Sequence, residues 1–183
     1  FASRGLVLSF FGKSSHASQP ENGHNPARAI SKLIIDIPEL TAREDHRGIV
    51  MATVVCVRIG EEAFGTNAGF GQLMLTIRAE FESELDALDA EICARARAYA
   101  RQDGITNVEI QYRDSFPETR NTPDAVAAVR KARLECGLPE ARWDEPFRSS
   151  EDFGCYTKLT SGALFYIGCG TRHAKLHTRE YDF

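Results

Sequence analysis

The order in which strand-like and helix-like patterns follow one another between residues 5 and 113 restricts this chain to few folds. Alternating or β-branched runs predict strands, and apolar residues at i, i+3, i+4 and i+7 predict helices. The predicted strands are residues 5–11, 49–59, 72–81 and 108–112, and the predicted helices follow Asn25 and Ser83. Strand–helix–strand–strand–helix–strand is the order of the ferredoxin-like split βαβ fold. We therefore predict an α+β chain whose first domain, residues 1–114, is a ferredoxin-like βαββαβ unit with both helices on one face of its sheet.

Capping residues predict the ends of the two helices. Asn25 can cap the first helix, with Pro26 at the first helical position because a missing N–H costs nothing there. Pro38 predicts the end of that helix. Ser83 opens a capping box for the second helix, and Gly104 can end it.

The segment after residue 114 contains too few elements for a domain of its own. Thr122 and Pro123 begin a helix that ends at Gly137, residues 149–159 predict a short helix, and residues 162–168 form an apolar run typical of a buried parallel strand. Two helices and one strand cannot cover one another. We expect residues 115–183 to be the incomplete C-terminal part of a larger α/β domain, and residues 118–183 to be poorly ordered unless another surface covers them.

Composition and charge argue against several classes of partner. The 183 residues are 43% hydrophobic and 26% charged, as in an ordinary globular protein. A net charge of −4 argues against nucleic acid or an anionic membrane as the main partner, and no apolar run approaches the roughly 20 residues that span a bilayer. Five cysteines without a Cys-x-x-Cys pair indicate reduced thiols. We therefore predict a cytoplasmic protein with no nucleic-acid partner and no membrane partner.

A long loop, residues 12–26, joins the first predicted strand to the first helix and carries two histidines, His16 and His24. Spacing alone favours solvated loop histidines. The whole string, GKSSHASQPENGHNPA, nevertheless resembles the lid-domain signature of a family of metal-dependent amidohydrolases. That family includes aminoacylases, hippurate hydrolase, auxin-conjugate hydrolases and several zinc carboxypeptidases.

The end of the chain carries a second string of matches to the same family. They are SEDFG at residues 150–154, GALFYIG at 162–168 and LHTREYDF at 176–183. They follow in the family's order, and the last of them lies about 160 residues beyond the first signature. The histidine after the leucine is a zinc ligand in that family, which implies the same role for His177. A self-contained zinc site of Cys169, His173 and His177 is disfavoured because closed structural sites take four ligands.

The resemblance implies roles for two residues of the first domain. His16 matches the lid histidine that reaches the active site of the partner subunit and polarises the scissile carbonyl, where an imidazole N–H can stabilise an oxyanion. Arg78 matches an arginine that binds the substrate carboxylate, and a charge that protects an edge strand is an equal alternative. The family often has an asparagine thirteen residues before that arginine, where this chain has Gly65. Asn67 is out of register and takes no role from the resemblance.

The leading hypothesis is a fragment of a metal-dependent amidohydrolase or peptidase that hydrolyses an N-acyl amino acid or a peptide-like amide through a zinc-bound water. The resemblance implies two zinc ions in the intact protein, with most ligands and the general-base glutamate outside this chain. We expect this chain alone to be inactive and to hold no metal tightly. The alternative is a non-catalytic dimerisation module with an inert catalytic remnant. RNA binding, which also uses this topology, is disfavoured because residues 49–59 carry no aromatic side chain.

The resemblance also implies a homodimer formed through the first domain. The predicted strand of residues 49–59 is apolar on both faces, and Arg58 is its only charge. Such a strand would otherwise be an exposed edge that invites aggregation. It is therefore our candidate for pairing across the dimer.

Overall fold

The computed structural model describes residues 1–141, 143, 145–168, 170, 173–174 and 178–181. Its strands are β1 (Ala2–Phe11), β2 (Ser15–His16), β3 (Val50–Ile59), β4 (Thr66–Asn67), β5 (Phe70–Ala79) and β6 (Asn107–Phe116). Its helices are α1 (Ala27–Thr41), α2 (Glu82–Gln102), α3 (Pro123–Glu135) and α4 (Gly154–Thr157), and a 3₁₀ turn (Pro20–Asn22) lies between β2 and α1.

Four of the strands form one antiparallel sheet in the order β3–β5–β1–β6, and β2 and β4 form a separate two-stranded ladder. At the centre of the sheet, β1 and β5 pair without a break, from Ala2 opposite Ala79 to Phe11 opposite Phe70. Because each helix connects two strands that are not neighbours, the strand order across the sheet is that of the ferredoxin-like fold. The predicted fold of the first domain is confirmed.

The hydrophobic core lies between one face of this sheet and the two long helices. Successive side chains of a strand point to opposite faces, so alternate residues of β1 and β5 face the helices. The core side chains that are at most 1% exposed include Leu6, Leu8 and Phe10 of β1, Leu73, Leu75 and Ile77 of β5, Ile30 and Leu33 of α1, and Leu85 and Ile92 of α2. Burial of each such side chain contributes about 1.5–3 kcal/mol, and this is what holds the helices on the sheet.

The two edges of the sheet differ in chemistry. β3 exposes Val54, Val55 and Val57, which are 36%, 57% and 41% exposed, and a β-bulge interrupts its pairing with β5 between Val54 and Cys56. β6, at the opposite edge, carries charged residues at three of its ten positions. Charges on an edge discourage pairing with another chain, whereas an apolar edge invites it. β3 is therefore the edge less protected against pairing with another chain.

α1 begins close to its predicted start but ends later than predicted. Pro26 is the N-cap, and the Ala27 N–H donates to the side-chain Oδ1 of Asn25 at 2.8 Å. The helix continues for three residues beyond Pro38, so the end predicted there is wrong. The proline lies in the last turn, where it removes only one intrahelical hydrogen bond. Burial of Leu40, which is 3% exposed, stabilises the turn that follows.

α2 has a cap that the sequence pattern does not predict. The helix begins at Glu82, and its N–H donates to the Glu118 carboxylate at 2.7 Å. A negative charge at this position also suits the helix dipole. The capping box predicted at Ser83 is therefore wrong, and the Ser83 hydroxyl accepts instead from the Arg47 guanidinium at 2.8 Å. Gly104 follows the end of the helix with a φ of +73°, as predicted.

The described residues after β6 form α3 and α4 but add no strand to the sheet. α3 matches the predicted helix, whereas the second predicted helix shortens to one turn, α4. Residues 162–168 form no strand in the described chain, and Phe165, Tyr166 and Ile167 are 56%, 52% and 80% exposed. The buried strand predicted there stays a prediction, because it belongs to the larger domain of which these residues are expected to be a part. The side chain of Asn121 instead bonds both backbone groups of Leu164, at 2.8 and 2.9 Å. The division of the chain at residue 114 stays a prediction.

Candidate functional site

The His16 arm, which we define as residues 12–26, leaves the sheet at the end of β1. Within it β2 pairs with β4, which places His16 opposite Thr66. Backbone hydrogen bonds continue this ladder on both sides, from the Gly12 N–H to the Gly69 carbonyl at 2.7 Å and from the Ala17 N–H to the Gly65 carbonyl at 2.9 Å. The arm is therefore tied along its length to the loop that precedes β5.

Two glycines let the backbone segments of the arm approach one another closely. A Cβ on Gly12 would lie 1.9 Å from the His24 carbonyl oxygen, and one on Gly69 would lie 2.3 Å from the Ser14 nitrogen. Both distances are far below a van der Waals contact, so only glycine fits. The arm is thus packed against backbone rather than extended as a free loop.

His16 is exposed on this arm, and its hydrogen bonds determine where the neutral ring carries its proton. Nδ1 lies 3.2 Å from the backbone nitrogen of Ser18 and 2.7 Å from the Ser18 hydroxyl. Because the backbone N–H can only donate, Nδ1 is an acceptor and the neutral imidazole carries its hydrogen on Nε2. The Nε2–H is then the donor that this ring can offer to a carbonyl oxygen.

Arg78 lies on β5, eight residues along the strand from Phe70, the end that adjoins the arm. At about 3.3 Å per residue, Phe70 and Arg78 are about 26 Å apart along β5, so the structure does not bring His16 and Arg78 of one chain together. The Arg78 guanidinium donates to the Ser150 hydroxyl at 2.8 Å and to the Arg148 carbonyl at 3.2 Å. Because β5 lies between β3 and β1, the alternative of an edge-strand charge is wrong.

The predicted metal ligand His177 lies outside the described residues, as does Cys169. In the part of the chain that the structure describes, no group of three or more His, Cys, Asp or Glu side chains could hold a metal ion. His173 is described, and its Nδ1 lies 2.9 Å from the Ala174 carbonyl oxygen. None of the described helices is long and apolar enough to cross a membrane.

Asn67 has a place in the arm that the sequence pattern does not predict. Its side-chain amide bonds to Ser15 and Asn25, both within the arm. The family's thirteen-residue spacing points to Gly65 instead, where an added Cβ would meet no atom within 4 Å. One sequence feature could have indicated this place: an asparagine inside a glycine-rich loop is typical of a side chain that hydrogen-bonds the turn around it.

Comparison with known proteins identifies the family. Residues 1–104 match the peptidase dimerisation domain of the M20 family. N-acetyldiaminopimelate deacetylase of Bacillus licheniformis is 26% identical over 96% of this chain and 48% of its own length. Hippurate hydrolase of Campylobacter jejuni is 22% identical over 96% of this chain and 46% of its own length. The chain thus spans about half the length of the curated relatives it matches.

Solved structures share the fold. An aminobenzoyl-glutamate utilization protein from Klebsiella pneumoniae has a TM-score of 0.69 over 84% of this chain and 39% of that chain, at 19% identity. A hydantoinase/carbamoylase family amidase from Burkholderia ambifaria has a TM-score of 0.65 over 92% and 41%, at 20% identity. Since the dimerisation domain matches more than half of the residues and the fold agrees, the chain belongs to the M20 family of peptidases and amidohydrolases.

Proposed function

We propose that the intact protein is a metal-dependent amidohydrolase that hydrolyses an N-acyl amino acid or a peptide-like amide, with residues 1–114 as its lid and dimerisation domain. The observation that carries the proposal is His16, held on a glycine-packed arm with Nε2–H as its donor. The names of the matched relatives, a deacetylase and a hydrolase, support a hydrolytic reaction. The free thiols of the described chain support a cytoplasmic location.

In this proposal His16 donates its Nε2–H to the carbonyl oxygen of the amide as that oxygen becomes an oxyanion. A donor that is already in place needs no reorganisation during the reaction, which is why the packing of the arm matters. Removal of one such donor lowers kcat by about 10²–10³. His16→Ala should therefore lower kcat by that factor.

A homodimer through the β3 edges would bring His16 of one subunit towards Arg78 of the other. β3 runs antiparallel to β5, so its Val50 end adjoins Arg78 and its Ile59 end adjoins the arm. When two β3 strands pair antiparallel about a twofold axis, the arm end of one subunit lies beside the Arg78 end of its partner. Three strand spacings of about 4.8 Å, or about 14 Å, then separate the two β5 strands, whereas about 26 Å separates Phe70 from Arg78 within one strand.

The substrate would lie between the two subunits in such a dimer. A guanidinium can bind a carboxylate with two parallel hydrogen bonds, so Arg78 of one subunit binds the substrate's carboxylate. His16 of the other subunit then polarises the amide carbonyl. Arg78 would have to exchange its present bonds to Ser150 and Arg148 for the substrate.

The proposed metal requires residues beyond those that the structure describes. His177 is the proposed ligand from this chain, and the described residues supply no metal site. A divalent metal ion, two zinc ions in this proposal, supplies an activated water at neutral pH. One histidine cannot replace the three or four protein ligands of such a site, so we expect this chain alone to hold no zinc tightly and to be inactive.

A second candidate is a dimerisation module without catalytic activity, which the match to a dimerisation domain also fits. An assay of the complete protein distinguishes the two. The amidohydrolase should hydrolyse N-acetyl- or N-benzoyl-amino acids, lose this activity with EDTA and regain it with zinc. A zinc-loaded homodimer that hydrolyses none of these amides would support the second candidate.

A further inference from the structure

We propose that Asn67 is the positioning residue that holds His16 for catalysis, an inference that rests on the proposed role of His16. The amide of Asn67 contacts three separate points of the arm. Its Nδ2 donates to the Ser15 hydroxyl at 3.1 Å and to the Pro20 carbonyl at 3.4 Å. Its Oδ1 accepts from the Asn25 amide at 2.7 Å. Ser15 directly precedes His16, so the first of these bonds acts next to the imidazole.

A chain of hydrogen bonds that begins at α1 fixes the orientation of this amide. The Ala27 N–H can only donate, and it donates to Oδ1 of Asn25 at 2.8 Å. The Nδ2 of Asn25 is therefore the atom that faces Asn67, and Oδ1 of Asn67 is the acceptor in that pair. This leaves Nδ2 of Asn67 to donate to Ser15 and Pro20, both of which can accept. The arm is thereby connected to the start of α1 and, through β4, to β5.

The side chain of Asn67 also fills space inside the arm. A Cβ on Gly23 would lie 2.7 Å from Nδ2 of Asn67 and 2.7 Å from the Ser15 hydroxyl oxygen, so this half-buried amide packs closely against the turn that it bonds. The β2–β4 ladder has only two residues in each strand, and so short a ladder is weak by itself. The Asn67 amide supplies the contacts that the short ladder lacks.

The first test removes the amide in the 183-residue chain. In Asn67→Ala we expect amide hydrogen exchange at Lys13, Ala17 and His24 to become about tenfold faster. The reason is that the loss of one hydrogen bond makes the local opening that permits exchange more frequent. Exchange in β1 and β5 should not change. The NMR resonance of the His16 ring should shift towards that of a free histidine.

Asn22→Ala is the matched control, because Asn22 is an exposed asparagine of the same arm whose amide lies 3.5 Å from Gln19. We expect it to change neither the His16 resonance nor the exchange rates.

Asn67→Asp is the second variant: it keeps the side-chain shape and the acceptor for Asn25, but offers no donor to the Pro20 carbonyl. Its exchange rates should lie between those of the unsubstituted chain and Asn67→Ala.

An unchanged His16 resonance and unchanged exchange of the arm in Asn67→Ala would overturn the proposal. Uniformly faster exchange across the arm, β1 and β5 would overturn it too, because Asn67 would then support only the stability of the whole domain. Neither readout measures hydrolysis. Failure of this inference is therefore distinguishable from failure of the proposed function, which the amide assay of the complete protein reports.

Discussion

At the residue scale, a buried carboxylate joins α2 to β1 across an otherwise apolar interface. Asp89 is 6% exposed, and its carboxylate accepts from the Arg4 guanidinium at 2.5 Å and from the Cys93 thiol at 3.2 Å. Arg4 also donates to Asp86 at 2.8 Å. A buried charge is tolerated when it is paired and hydrogen-bonded. The cluster explains how a carboxylate and a cysteine can occupy the core side of α2.

Cys93 is predicted to react with thiol reagents far more slowly than the exposed Cys136 and Cys155. Burial and the Asp89 carboxylate raise the pKa of the Cys93 thiol to about 12, and the thiolate is the reactive form. Iodoacetamide labelling followed by peptide mass spectrometry measures the rates. Labelling of Cys93 should rise with pH or on unfolding in urea. Labelling in the folded chain at the rate of Cys136 would contradict this account.

At the element scale, local patterns predict the helices and strands of the first domain, but they do not predict contacts between residues that are far apart in the sequence. The stripes of α1 and the β-branched run of β3 are visible within a few residues of sequence. The Glu118 cap of α2 is not, because its partner Glu82 lies 36 residues away. The hydrogen bonds of Asn67 cannot be predicted from local patterns for the same reason, since its partner Asn25 is 42 residues away. The interior position of Arg78 on β5 follows only from the strand order.

Asp36→Asn is predicted to weaken the contact between α1 and α2. The Asp36 carboxylate accepts from Arg95 at 2.8 Å and from Tyr99 at 2.5 Å. Burial by itself would raise the pKa of Asp36, but these two hydrogen bonds outweigh it and hold the pKa below its ordinary value. A lowered pKa stabilises the folded chain above the unfolded pKa of about 4, and this stabilisation is lost as pH falls through the folded pKa.

We expect Asp36→Asn to lower the free energy of unfolding by about 1.5–3 kcal/mol at pH 7, the range for hydrogen bonds to charged groups. Below a pH of about 4 the loss should be smaller. Urea denaturation at both pH values measures it. Glu39→Gln, an exposed carboxylate on the same helix, is the control and should have little effect. A loss at pH 3 equal to that at pH 7 would rule out the charged form as the cause.

Val55→Lys is predicted to prevent the proposed dimerisation through β3 without unfolding the chain. Val55 is 57% exposed at the bulge of β3, so the substitution should change monomer stability by no more than about 0.5 kcal/mol. Two lysines brought together across an antiparallel β3 pair would repel each other. Sedimentation equilibrium should show a monomer.

Gln111→Lys, the same change of charge on the opposite edge strand β6, should remain dimeric. A dimeric Val55→Lys variant would exclude β3 as the interface.

At the scale of the whole molecule, the separation of the two candidate residues along β5 is the main constraint on function. A substrate small enough to be an N-acyl amino acid cannot reach from the arm to Arg78 of the same chain across about 26 Å. The motifs indicate that both residues are present, but the distance between them cannot be predicted from either motif. The distance follows from the fold, because Arg78 lies near one end of β5 and the arm pairs with the segment that leads into the other end of that strand. A site that uses both residues therefore requires a second subunit.

Two impaired variants are predicted to restore activity when their subunits are combined in the complete protein. In the proposed dimer each site uses His16 of one subunit and Arg78 of the other. A heterodimer of His16→Ala and Arg78→Ala subunits then has one site that lacks both residues and one that lacks neither. Equal mixing makes half of the dimers hybrid, so about a quarter of wild-type activity should return. Hydrolysis is measured after mass spectrometry has shown that subunits exchange. If each site used both residues of one chain, every site would lack one residue and no activity would return.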